Sequence, residues 1–130
     1  MNVREYRPSD FLELQRIHRE FYRNEFELPD FFKNYLCAVT IEDDKGIVTV
    51  GGVRNIAEVV AVTNKERSLR ARYKALWELY HASSYFAEVS GHSQIHAFIQ
   101  EEQWLKHLLD VGFRHTKGTG LVMEIQHGEG

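Results

Sequence analysis

The chain of 130 residues has room for one ordinary domain and not two. Its 43% hydrophobic and 27% charged residues exclude a disordered chain, and the lack of an 18-residue apolar run excludes a membrane-spanning helix. A net charge of -3, from 16 basic and 19 acidic side chains, argues against a nucleic-acid partner.

The opening residues MNVREYRPSD carry charge where a secretion signal needs an apolar stretch, so the expected compartment is the cytoplasm. Val3 to Tyr6 reads as a short strand. Pro8-Ser9-Asp10 interrupts it, and Asp10 with Glu13 has the spacing of a capping box at a helix start. Phe11, Leu14, Ile17, His18 and Phe21 recur every three or four residues, which predicts a helix with one apolar face. Pro29-Asp30 predicts a second helical piece carrying Phe31, Phe32, Tyr35 and Leu36. The stretch from Arg23 to Glu27 between them has no period and reads as a loop.

From Cys37 the period changes to two. CAVTIE and IVTVGGV, joined by the turn residues 43–46, predict a β-hairpin, and the Gly51-Gly52 pair predicts a bulge or a close backbone approach. Cys37, the single cysteine, has no disulfide partner and is expected to be a buried thiol. Ala57 to Thr63 is almost wholly apolar, as expected of a strand in the middle of a covered sheet. Leu69, Tyr73, Leu76 and Tyr80 predict a long helix that ends at Gly91-His92-Ser93. Gln94 to Ile99 reads as a strand and Glu101 to Val111 as a helix capped by Gly112. Leu121 to Ile125 reads as a closing strand before a frayed tail at 127–130. Antiparallel hairpins followed by a crossover helix make this one α+β domain over residues 1–126, with a central mixed sheet flanked by helices.

Chemistry concentrates at two places. Lys65, Arg67, Arg70, Arg72 and Lys74 stand at the start of the long helix against only Glu66. Unpaired amides at a helix start attract anions, and guanidinium groups strengthen the attraction, so a phosphate-bearing ligand suits this junction. Contact with an acidic partner, or a merely solvated charged turn, suits it as well. Glu58 is the only carboxylate on the apolar 57–63 stretch: a base, an end-of-strand acid, or half of a salt bridge to Arg54. His96 lies mid-strand and can titrate near neutrality, either as a base or as a hydrogen-bonded structural residue. The histidines show no metal-binding spacing.

Residues 62–72 (VTNKERSLRAR) and 104–113 (WLKHLLDVGF) together resemble the GNAT family of N-acetyltransferases. The first matches a strand followed by a pyrophosphate loop, Arg/Gln-x-x-Gly-x-Gly/Ala, with Arg67 as its opening residue. Arg70 and Arg72 stand where the family has small residues. The second resembles the C-terminal helix ending in Gly-Phe, with Leu108 in place of a tyrosine that protonates the leaving thiolate and Glu101 in place of an asparagine. The resemblance implies a GNAT-like sheet and an acyl-CoA-dependent N-acyltransferase, with acetyl-CoA as acyl donor and a small-molecule or protein amine as acceptor. It places the cofactor on Val60, Ala61 and Val62, on Arg67, Ser68, Leu69, Arg70, Ala71 and Arg72, and near Glu101 and Trp104. Glu58 and His96 become its catalytic candidates. The alternative is a catalytically inactive GNAT-like domain that binds a protein or an anionic ligand, and either form suits a monomer or a homodimer.

Overall fold

The computed structural model describes residues 1–125, so the predicted tail at 127–130 lies outside the described residues. Two compact units divide the chain, Met1–Phe98 and the chain from Ile99 onward.

In the first unit, β1 (Asn2–Glu5), β2 (Tyr35–Asp43) and β3 (Gly46–Arg54) form an antiparallel sheet with β2 in the centre. A short 3-10 turn (Pro8–Asp10) and α1 (Phe11–Phe21) come after β1. The predicted hairpin is present: residues 44 and 45 turn, and Gly46 at φ 124° starts the return strand. Gly52 faces Ala38 in register, and any side chain there would collide with the Cys37 carbonyl oxygen. The two irregularities in this ladder fall at Tyr35/Cys37 and Ile41/Glu42, so Gly52 serves close approach and neither glycine marks a bulge.

A polar row crosses one face of this sheet. Thr40 pairs with Arg4 on one side and Val50 on the other, and it is fully buried. Arg4 donates both terminal nitrogens to the Asp10 carboxylate, at 2.7 and 2.8 Å, and its Nε to Glu42 at 3.0 Å. Thr40 Oγ1 donates to Asp10 Oδ2 at 3.0 Å, and the Arg7 amide does so at 2.9 Å. Asp10 is therefore not the forward cap that its spacing with Glu13 suggests. Its carboxylate points back to Arg4 and Arg7, because a bidentate guanidinium outcompetes a single amide, and Glu13 pairs with Arg16 instead.

The second helix expected from Pro29 does not form. Asp30 Oδ1 accepts from the Phe32 amide at 3.0 Å, the Lys33 amide donates to the Asp30 carbonyl, and Asn34 turns left-handed at φ 58°. These bonds satisfy the backbone locally and remove the gain from a helix. Phe31 and Phe32 then stack on Tyr6, with ring centroids 5.5 and 5.0 Å away. Tyr35 and Leu36, assigned to that helix from sequence, open β2. Cys37 is exposed, not buried, since no described element covers its side of β2.

The apolar stretch 57–63 is the larger correction. It forms no named strand, and Val60 and Val62 are 70% and 99% exposed. Only one parallel bridge, Glu58 to His96, joins it to the 94–99 stretch, which likewise forms no strand. A strand needs a partner along its whole length, and here pairing extends one residue. The named sheet is accordingly antiparallel, with this bridge as the parallel component. α2 (Leu69–Val89) is present as predicted and ends at Gly91, φ 89°, where the His92 and Gly91 amides cap Ala87 and Glu88.

In the second unit, α3 (Glu102–Asp110) ends on the same device. Gly112 takes φ 116°, its amide bonds to Leu109 and that of Phe113 to Leu108. Residues 121–125 form no strand, and Leu121 and Val122 are almost fully exposed. Among the described residues, no helix is long and apolar enough to cross a membrane. The fold is α+β, a small antiparallel sheet accompanied by helices.

This packing has measurable consequences. Gly52→Ala should lose about 3 kcal/mol of stability by urea unfolding, because backbone opposes the new methyl group. Gly51→Ala, with open space around it, should stay within about 0.5 kcal/mol. Arg4 holds the Asp10 carboxyl well below the usual carboxylate range, helped by the Arg7 amide and Thr40. A depressed carboxylate stabilises the fold above its unfolded value near 4, and that stability is lost as pH falls below it. Asp10→Asn should cost about 3 kcal/mol at pH 7 and flatten the acid limb of the stability profile. Glu42 and Glu13, depressed by Arg4 and Arg16, should keep part of the slope.

Candidate functional site

Three segments of the first unit converge where β2 begins and β3 ends. The Asn55 amide donates to the Asn34 carbonyl at 2.7 Å, Asn34 Nδ2 reaches the Gly91 carbonyl at 3.4 Å, and Arg54 donates to Gln94 Oε1 at 3.0 Å. The glycine-capped end of α2 delivers residues 92–96 to this junction. Between them lies a cavity of about 310 Å³, lined by residues 27–30, 33–35, 54–57, 92–94 and 96. Most of its charged groups, including Asp30, Lys33 and Arg54, would be invisible as a site in sequence, since they come from separate turns and strand ends.

Glu58 and His96, chosen separately from sequence, are joined by the parallel bridge, with His96 lining the cavity and Glu58 outside it. The Val59 amide donates to the His96 carbonyl and the His96 amide to the Ala57 carbonyl, both at 2.8 Å. Glu58 is exposed and makes no ion pair with Arg54, which binds Gln94 instead. His96 is half-buried, and its Nδ1 is enclosed with no hydrogen-bond partner. Burial above all, then the positive charges of Arg54 and His92, hold its pKa below the ordinary histidine value. The imidazole is therefore neutral at pH 7 and able to accept a proton.

Beyond the bridge no β-pairing continues among the described residues, so residues 59–63 leave the 97–98 stretch. They run into a turn built by Asn64, whose Oδ1 accepts from the Glu66 amide at 3.0 Å and whose carbonyl accepts from the Arg67 amide. Ser68 then caps α2, its Oγ accepting from the Ala71 amide at 3.1 Å. Arg67, Leu69 and Arg70 are exposed around this helix start, and no acid lies in its first turn. Arg72 is half-buried, and its Nε is enclosed without a partner.

The turn needs no left-handed residue. Arg70 and Arg72 lie inside α2, where arginine costs no backbone strain. Their charge and the uncapped amides fit a phosphate group, although the side chains keep it farther from the backbone than glycine would. Val60, Ala61 and Val62 are all exposed before this turn. Glu101, exposed at the N-cap of α3, and Trp104, half-buried in its first turn, belong to the second unit. Leu108 in α3 is 8% exposed.

No family model, curated protein or solved structure matches the chain.

The electrostatic account of His96 is open to direct measurement. Arg54→Gln should raise the His96 midpoint in an NMR titration of the imidazole, and His92→Asn should raise it less. An unmoved midpoint in both variants would leave burial as the whole cause.

Proposed function

We propose that the chain is an acyl-CoA-dependent N-acyltransferase on a GNAT-like sheet, with Glu58 and His96 as its proton acceptors. The observation that carries the reading is the parallel bridge between those two residues, with pairing lost immediately beyond it. Two stretches that touch at one point and then part leave unpaired backbone beside a base. A thioester carbonyl needs backbone donors of that kind.

The chemistry asked of the protein is modest. An acceptor amine forms a bond to the thioester carbonyl carbon, the C–S bond breaks, and the thiolate leaves with its electron pair. Glu58, open to solvent, or neutral His96 removes the proton that the amine nitrogen loses. Arg67, Arg70 and Arg72 with the start of α2 hold the pyrophosphate. Arg72 supports this role, because a guanidinium held partly out of water is stabilised by an anion at its open end.

Leu108 favours a second reading, a GNAT-like domain that binds a protein or an anionic ligand without catalysis. A buried leucine cannot return a proton to a thiolate.

Calorimetry with acetyl-CoA, with ATP as an anion control, separates these readings from a ligand-free domain. Arg70→Glu with Arg72→Glu should abolish CoA binding in a folded protein. Glu58→Gln should slow acyl transfer to an amine panel by about 10²-fold while leaving CoA affinity unchanged. CoA binding with no transfer by the wild type would establish the second reading. Absence of both CoA binding and acyl transfer would remove the acyltransferase and leave the second reading.

A further inference from the structure

We propose that the cavity of the first unit binds a small zwitterion, the size of an α-amino acid or dipeptide. Its ammonium would face Asp30 and Glu27, and its carboxylate would face Arg54 and His92. The volume of about 310 Å³ lies at the lower end of the range for small-molecule sites and suits a small ligand.

The lining carries both signs of charge. The loop before β2 contributes Glu27, Asp30 and Lys33, one negative charge in excess. Asp30 uses Oδ1 to hold the Phe32 amide, which fixes its carboxylate and leaves Oδ2 able to accept. The end of β3 and the segment after α2 contribute Arg54, His92 and His96 and no acid. Arg54 is oriented by its bond to Gln94 Oε1 at 3.0 Å. A simple anion would meet the repulsion of the two carboxylates, and a simple amine that of Arg54. A molecule carrying both charges satisfies both kinds of group.

The site does not depend on the acyltransferase reading. Ala57 and His96 line the cavity, whereas Glu58 and the diverging residues 59–63 do not.

The test is an NMR titration of the folded chain, monitoring the histidine ring signals, with L-alanyl-L-alanine, its N-acetyl form and its C-terminal amide. The free dipeptide should bind and raise the His96 midpoint, since its carboxylate offsets the charge of Arg54. Each capped form should bind at least about tenfold more weakly. Arg54→Gln and Asp30→Asn should each lose about tenfold in affinity, and Arg54→Lys should retain binding. Both variants are conservative, since asparagine can still accept from Phe32 and glutamine still donate to Gln94. Equal binding of either capped form, or no response to any of the three, overturns the proposal. Acyl transfer enters none of these measurements, so the two ideas can fail separately.

Discussion

The ion pair between Arg4 and Asp10 ties three pieces of chain to one buried carboxylate. Arg4 belongs to β1, Asp10 to the turn after it, and Thr40 and Glu42 to β2. A carboxylate buried without partners would cost several kcal/mol, so Asp10 tolerates only an arrangement that supplies all of them. That requirement fixes the register of β1 on β2, because a one-residue slip would turn Arg4 to the other face. It also sets the direction in which α1 leaves the sheet, since the same carboxylate holds the Arg7 amide.

The path of the chain beyond the sheet depends on how α2 ends. Gly91 lets this helix stop within one residue, and the chain turns back with His92 capping Ala87. This reversal carries Gln94 to Arg54 and His96 to Glu58. Without the left-handed residue the helix would continue past the junction, and the cavity would lose one wall. The Gly-Phe pair at the end of α3, which carried part of the family resemblance, is the same capping device. A likeness resting on it therefore reports helix termination as much as activity.

The exposed valines of the 57–63 stretch and the single bridge at Glu58 belong together. Backbone that leaves its partner after one residue gives up ladder hydrogen bonds and apolar cover. The same opening exposes the segment between Glu58 and the basic helix start. Segments with so few ladder bonds and so little apolar cover lie at the low end of local stability.

The sequence by itself determined the elements whose signals are local. α1 and α2 were legible in their three-to-four-residue periods, the β2–β3 hairpin in its alternation and turn residues, and the ends of α2 and α3 in their glycines. Glu58, His96 and the arginines at the start of α2 were legible as chemistry, because a lone acid in an apolar run and a basic cluster at a helix start stand out against their neighbours. Tertiary structure alone decided the rest. Phe31 and Phe32 look helical until Tyr6 and the Asp30 turn claim them. Ala57 to Thr63 looks like a central strand until its would-be neighbour pairs with it at one residue only. Asp10 looks like a cap until Arg4 reaches it. For the first two the physical reason is that contacts made or missed at long range outweighed the local preference, and residues far apart in the chain carry no mark of which of them will meet; at Asp10 a guanidinium six residues back outcompetes the helix amide.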